Sequence, residues 1–143
     1  VELRIASNIY DDKVLSEVIA YDFVKFLGKR SKDEVLELYR ESDVFALASL
    51  QETFGMVYIE ALSQGLPLVY TRGEGFDGWF ADGDVGFAVN PTNSVEIASN
   101  LEQAFVNRRL IYNRCLAGIN RFSWQVIAKQ YMKIYNNIKS GVL

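Results

Sequence analysis

The sequence predicts an α/β fold in which a parallel sheet carries helices on both faces. Three observations point to it. Short apolar runs alternate along the chain with stretches of helical spacing. The runs at 44–48 (VFALA) and 68–70 (LVY) are continuously apolar, as strands covered on both faces must be. Half of the 143 residues are apolar, enough for one core and too few for two.

Each element has its own local reason. Residues 3–6 (LRIA) predict the first strand. Residues 12–21 place Val14, Leu15, Val18 and Ile19 at helical spacing. Residues 23–27 (FVKFL) predict a second strand, stopped by Gly28. Ser31 followed by Glu34 is a capping box, and Val35, Leu36, Leu38 and Tyr39 form the apolar stripe behind it. The strand at 44–48 leads into a helix that starts near Phe54 and ends at Gly65, with Pro67 beyond it. After the strand at 68–70 comes the glycine-rich stretch TRGEGFDGWFADGDVG, then a short strand, FAVN. Asn93 with Glu96 reads as a second capping box, before VEIASNLEQAFVN. Residues 108–118 predict a further helix. Ser123 caps a last amphipathic helix whose stripe is Trp124, Ile127, Ala128, Tyr131, Ile134, Tyr135 and Ile138.

Composition excludes several chemistries. The chain has no histidine, so it offers no imidazole base and no Ser-His-Asp or Cys-His pair. One cysteine without histidine supplies no set of soft ligands for zinc. Cys115 reads as a small buried hydrophobe, and a single thiol forms no internal disulfide, which fits a reducing compartment. No stretch reaches transmembrane length. The expected location is cytoplasmic, with membrane association left open. The start at Val1, almost directly before an apolar strand-like stretch, leads us to expect a fragment of a longer protein. Charge is segregated: residues 1–93 carry 8 Lys/Arg against 16 Asp/Glu, and residues 94–143 carry 7 against 2. The basic tail residues are Arg108, Arg109, Arg114, Arg121, Lys129, Lys133 and Lys139. They predict either a solvated face of two helices or a contact with an anionic surface, a membrane or another domain.

In such sheets ligands bind beyond the carboxyl ends of the strands. Three loops qualify, at 28–31, 49–53 and 71–78. The middle one opens SLQETFGMVYIEALSQGLP, residues 49–67. A helix beginning at Phe54 or Gly55 leaves the amides of Phe54, Gly55 and Met56 without internal partners. With the helix dipole they form an anion site, and Gly55 allows a ligand close to the backbone. Glu52 precedes the helix and Glu60 lies within it, so the two carboxylates flank that site. Carboxylates accept hydrogen bonds from hydroxyl groups. A nucleotide sugar, with a hydroxyl-bearing group on each side of a diphosphate, satisfies both. A Glu near a helix start is also favoured by the dipole for stability alone. Glu60 interrupts the apolar run MVYIEALS, where a charge facing the sheet needs a partner.

These residues resemble the C-terminal, donor-binding half of the group 1 (family four) retaining glycosyltransferases with the GT-B fold. The signature is a Glu, seven residues and a second Glu in a frame of the form S..E.FG…..EA...G.P. Ser49, Glu52, Phe54, Gly55, Glu60, Ala61, Gly65 and Pro67 match it. FVKFLGKRSKDEVLELYRESDVFALAS, DVGFAVNP and FSWQVIAKQYMKIY are similar to further segments of the family. The resemblance implies a three-layer Rossmann-like fold. It makes residues 1–143 a single nucleotide-sugar-binding domain, without the acceptor-binding N-terminal domain. It implies that Glu52 is catalytic, contacting the donor sugar and stabilising positive charge there. Thr53, Phe54, Gly55 and Met56 would bind donor sugar and phosphate, and Glu60 the ribose. Gly28, Lys29 and Arg30 would lie near the nucleobase.

The implied reaction is sugar transfer with retained anomeric configuration, without metal or cofactor. The implied partners are the nucleotide-sugar donor and the N-terminal domain, with a peripheral membrane contact open and no nucleic acid. Two departures stand out. The family's Arg and Lys that neutralise the diphosphate lie upstream of any segment here, and Arg4 and Arg72 substitute poorly for them. Where the family has GG..E, this chain has TRGEGFDGWF, so Gly75, Phe76 and Asp77 are read either as ligand contacts or as part of a plain flexible loop. The alternative readings are a receiver-like signalling domain, disfavoured by Ser7 and Ser49 at the strand ends, and a regulatory half that keeps the site without turnover.

Overall fold

The computed structural model describes residues 1–9 and 11–140. The chain divides into two compact units, Val1–Leu38 and Tyr39–Leu143. The first holds β1 (Leu3–Ile5), α1 (Asp12–Val18), β2 (Val24–Phe26) and the start of α2 (Lys32–Arg40). β1 and β2 pair in parallel, with Leu3 opposite Val24 and Ile5 opposite Phe26. Asp11 caps α1 by accepting the N–H groups of Lys13 and Val14. The Ser31–Glu34 box closes in both directions. Ser31 N–H donates to Glu34 Oε2 at 2.8 Å, and Glu34 N–H to Ser31 Oγ at 3.4 Å. Those bonds hold the Glu34 carboxyl below its usual range.

The second unit holds β3 (Phe45–Leu47), α3 (Met56–Ser63), β4 (Leu68–Thr71), β5 (Gly86–Val89), α4 (Ser94–Val106), α5 (Arg108–Gly118), a 3-10 turn (Ile119–Phe122) and α6 (Trp124–Lys139). Its sheet runs β3-β4-β5, all parallel, with Phe45 opposite Leu68 and Leu68 opposite Gly86. The parallel pairing is the one expected, but the strands form two sheets where the sequence predicted one. β4 is buried along its whole length because both its faces are covered. Val69 packs on one side with Val89 and Ala104, joined by Ile97 and Leu101 of α4. Tyr70 points the other way, toward Tyr58 of α3.

Three details depart from expectation. α3 begins at Met56, not Phe54, because Gly55 takes a left-handed φ of 73° that no helical residue shares. The Asn93 box is half formed: Asn93 Oδ1 accepts the Glu96 N–H at 3.1 Å. The Glu96 carboxylate turns instead to Arg72 at 2.6 Å and to the Asn90 N–H at 3.2 Å, since a guanidinium outbids a lone amide. α6 forms under its Ser123 cap, but Trp124, Tyr131, Ile134, Tyr135 and Ile138 of its apolar stripe stand exposed. The basic tail is partly paired within its own unit. Arg108 meets Asp43 at 2.9 Å, Arg114 meets Asp84 at 3.9 Å, and Arg121 donates to the Trp79 carbonyl and stacks over Phe80.

Cys115 is buried in α5 with Sγ 3.4 Å from the Leu66 carbonyl, and burial pushes its thiol from 9 up to about 12. Burial, then the Glu60 charge, takes the Tyr39 phenol from 10 to about 12. Both groups favour the folded state while neutral. Their contribution is complete below the ordinary values and is lost as pH rises through the folded ones. The melting temperature is therefore expected to hold up to about pH 9 and to fall from there toward pH 12. Cys115 should resist a thiol reagent in mildly alkaline buffer until denaturant is added. Rapid labelling of the native chain would contradict this burial.

Candidate functional site

The end of β3 is fixed by two buried hydroxyls. Tyr58 Oη donates to the Leu47 carbonyl at 2.6 Å, and Thr71 Oγ1 donates to the Ser49 carbonyl at 2.7 Å. Burial, then the Glu52 charge, raises the Tyr58 phenol to about 12, so it remains a neutral donor at ordinary pH.

The chain between β3 and α3 is gripped by the loop that follows β4. Glu74 Oε2 accepts the Glu52 N–H at 2.8 Å, and Gly75 N–H donates to the Glu52 carbonyl at 3.3 Å. Gly75 lies so close that a Cβ there would sit 1.7 Å from the Thr53 carbonyl oxygen. Asp77 braces the loop from within, accepting Gly73 N–H on Oδ2 at 2.7 Å and Gly78 N–H on Oδ1 at 3.0 Å. The Trp79 indole donates to the Gly75 carbonyl at 3.2 Å, and its ring meets Phe54 at 5.7 Å. Phe76 is buried between Tyr58 and Tyr70. The stretch is thus internally braced, in place of the plain flexible loop. Phe76 and Asp77 are committed to holding it.

Gly55 turns the chain into α3, and a Cβ there would lie 2.3 Å from the Tyr58 ring. Tyr58 N–H bonds back to the Gly55 carbonyl at 2.9 Å. Among the described residues, the N–H groups of Phe54, Gly55, Met56 and Val57 make no hydrogen bond to the protein. The late helix start therefore adds Val57 to the amides read from the sequence. Glu52 is half-buried beside them, and its carboxylate makes no hydrogen bond among the described residues; Thr53 and Met56 are exposed. Glu60 is half-buried on the flank of α3, while Tyr58, Ala61 and Leu62 face the core. Among the described residues no buried side-chain oxygen or nitrogen lacks a partner, so the Glu60 carboxylate reaches water.

Gly28, Lys29 and Arg30 belong to the first unit, directly after β2. Gly28 has a left-handed φ of 70°, Lys29 is exposed, and Arg30 lies 3.5 Å from Glu34. The second unit thus brings together Glu52, Thr53, Phe54, Gly55, Met56 and Glu60. Arg72 is occupied: it donates to the Ala88 carbonyl and pairs with Glu96. Glu74 escaped the sequence reading. Its one signal is that it is the acidic residue between two glycines in GEG. Among the described residues no group of three or more His, Cys, Asp or Glu side chains is placed to hold a metal ion. No helix among them is long and apolar enough to cross a membrane.

Residues 14–115 match the family described as glycosyl transferases group 1. The chain belongs to this family. It is 32% identical over 120 residues to the D-inositol 3-phosphate glycosyltransferase of Corynebacterium aurimucosum, covering 82% of this chain and 28% of that one. It is also 32% identical over 121 residues to the N-acetyl-alpha-D-glucosaminyl L-malate synthase of Bacillus anthracis, covering 82% and 31% respectively. The group 1 chain thus spans roughly three-tenths of these relatives' length. Among solved structures it is similar in fold to HepE of Anabaena in complex with UDP. The TM-score is 0.81 at 23% identity, over 96% of this chain and 41% of that chain. This likeness shows the fold, which is of the Rossmann-like α/β class.

The main-chain contact at Gly75 yields a prediction for this group 1 domain. Gly75→Ala drives a methyl into the Thr53 carbonyl and should lower the melting temperature by about 5–10 °C. Gly73→Ala has open space around it and meets only its left-handed φ of 80°, so it should lower the melting temperature less than Gly75→Ala does. Equal or smaller loss at Gly75 in a thermal melt would contradict the close approach.

Proposed function

We propose that the chain is the donor-binding part of a retaining glycosyltransferase, moving a sugar from a nucleoside-diphosphate sugar to an acceptor held by the rest of the polypeptide. The observation that carries this is the fan of unpaired N–H groups at 54–57, flanked by Glu52 and Glu60. The fan and the α3 dipole receive the diphosphate. Glu52, unpaired beside the fan, takes hydroxyls of the donor sugar and stabilises positive charge growing at its anomeric carbon. Thr53 lines the same turn. Glu60 accepts the ribose hydroxyls, which a water-facing carboxylate can do without a buried cost. Gly28, Lys29 and Arg30 contact the nucleobase. The reading uses no metal, since main-chain dipoles meet the anion, with basic residues elsewhere in the polypeptide adding charge. The UDP named for the HepE structure supports a nucleoside diphosphate as the ligand. Turnover needs donor and acceptor held in reacting geometry, so the chain by itself binds donor without transferring sugar.

In the full polypeptide, Glu52→Ala should lower sugar transfer by about 100-fold or more with the fold retained. Glu60→Ala should weaken donor binding by about tenfold, the scale of one hydrogen bond to a charged group. Near-wild-type transfer in both variants would sink the assignment. For the chain itself, UDP titrated to millimolar concentration should shift the NMR signals of Gly28, Gly55 and Glu60; silence at all three would count against it.

A further inference from the structure

We propose that Glu74 is a positioning residue for Glu52, and that its carboxylate sets which part of the donor Glu52 meets; this rests on the donor-binding reading above. The Glu52 peptide is held at two points by consecutive residues of one loop. Glu74 takes its N–H at 2.8 Å, and Gly75 gives an N–H to its carbonyl at 3.3 Å. Two contacts on one residue's main chain fix the direction of its Cα–Cβ bond, and so where its carboxylate projects. Among the described residues nothing hydrogen-bonds the Glu52 carboxylate itself, so the direction set by the main chain is the restraint hydrogen bonding puts on it.

The clamp has little slack. The Glu74 carbonyl accepts Asp77 N–H at 2.8 Å, and Asp77 in turn pins the amides of Gly73 and Gly78. Gly75 is pressed against the Thr53 carbonyl, and the Trp79 indole holds the Gly75 carbonyl. A charged acceptor makes the Glu52 contact stronger than a neutral one would.

The same bond has an electrostatic consequence. By occupying the Glu52 N–H, Glu74 removes that amide from the row an anion could use and leaves the fan at 54–57. Its negative charge stands on the Glu52 side of the fan. A diphosphate that slid toward Glu52 would approach that carboxylate and find the Glu52 amide already taken. The sugar, with hydroxyls and no charge, meets no such repulsion. Glu74 therefore registers the donor with its phosphates on the fan and its sugar at Glu52.

The test uses Glu74→Ala and Glu74→Gln in the full polypeptide, with UDP and GDP as binding probes. Release of either nucleotide from UDP-glucose and GDP-mannose measures turnover. Glu74→Ala should lower kcat about 10- to 100-fold, the scale of a small misplacement at a reacting centre, while UDP or GDP affinity stays within about threefold. Glu74→Gln keeps an acceptor oxygen and should restore most of kcat. The Glu52 amide proton should move upfield in Glu74→Ala and return toward its wild-type position in Glu74→Gln. Unchanged kcat in Glu74→Ala overturns the proposal. So does a parallel loss of kcat, nucleotide affinity and melting temperature, which marks a mere loop staple. If the wild type binds neither nucleotide and turns over neither donor, the donor-binding reading fails and takes this role with it. In that case the amide shift still reports whether Glu74 holds Glu52.

Discussion

The buried ring of Tyr58 is the contact on which the candidate site depends. Its hydroxyl holds the end of β3 through the Leu47 carbonyl, and its N–H closes the turn at Gly55. Its ring lies where a Cβ at residue 55 would go, so it forces the left-handed glycine that delays α3 to Met56. The other edges of the ring meet Phe45 of β3, Tyr70 of β4 and Phe76 of the glycine-rich loop. One side chain thus ties two strands, a helix start and a loop into a single arrangement. The free amides at 54–57 are a by-product of that packing: a turn this tight leaves no room for the usual side-chain cap.

How much of this was legible depended on range. The strands at 44–48 and 68–70 and the helix caps at Ser31, Asn93 and Ser123 are short-range features, and the chain forms them where the sequence says. That Glu52 precedes the helix and Glu60 lies within it was also readable, because both placements follow from a helix that starts shortly after Glu52. What was not readable comes from contacts between distant segments. Glu74 meets Glu52 across 22 residues, and Glu96 leaves its box for Arg72 across 24. The start of α3 shifted because the Tyr58 ring, not the local propensity of Thr53 or Phe54, decides the conformation of Gly55. Glu60 looked misplaced in an apolar run, yet the burial of Tyr58, Ala61 and Leu62 on one side leaves it on the flank.

The charge segregation seen in the sequence also has a physical resolution. The acidic body and the basic tail are partly each other's partners, through Arg108 with Asp43 and Arg114 with Asp84. Each such surface pair is worth little, about 0–1 kcal/mol. Lys129, Lys133 and Lys139 lie on α6, the same helix as the exposed apolar stripe.

The electrostatics around the amide fan constrain how the donor-binding reading can work. Within the second unit, Glu52 and Glu74 lie next to the fan, Glu60 follows on α3, and Asp77 braces the neighbouring loop. Arg72, two residues before Glu74, is bound to Glu96 and the Ala88 carbonyl. A diphosphate arriving there gains the amides and the α3 dipole but also meets carboxylates of its own sign. At the half-exposed positions of Glu52 and Glu60 water screens much of that repulsion. The remainder still sets a bound: this unit alone should hold a nucleoside diphosphate weakly. Tight capture then requires positive charge from elsewhere in the polypeptide. A site built this way would make donor affinity depend on charge brought from outside the unit. Weak binding by the part and strong binding by the whole would be two consequences of the same placement of charge.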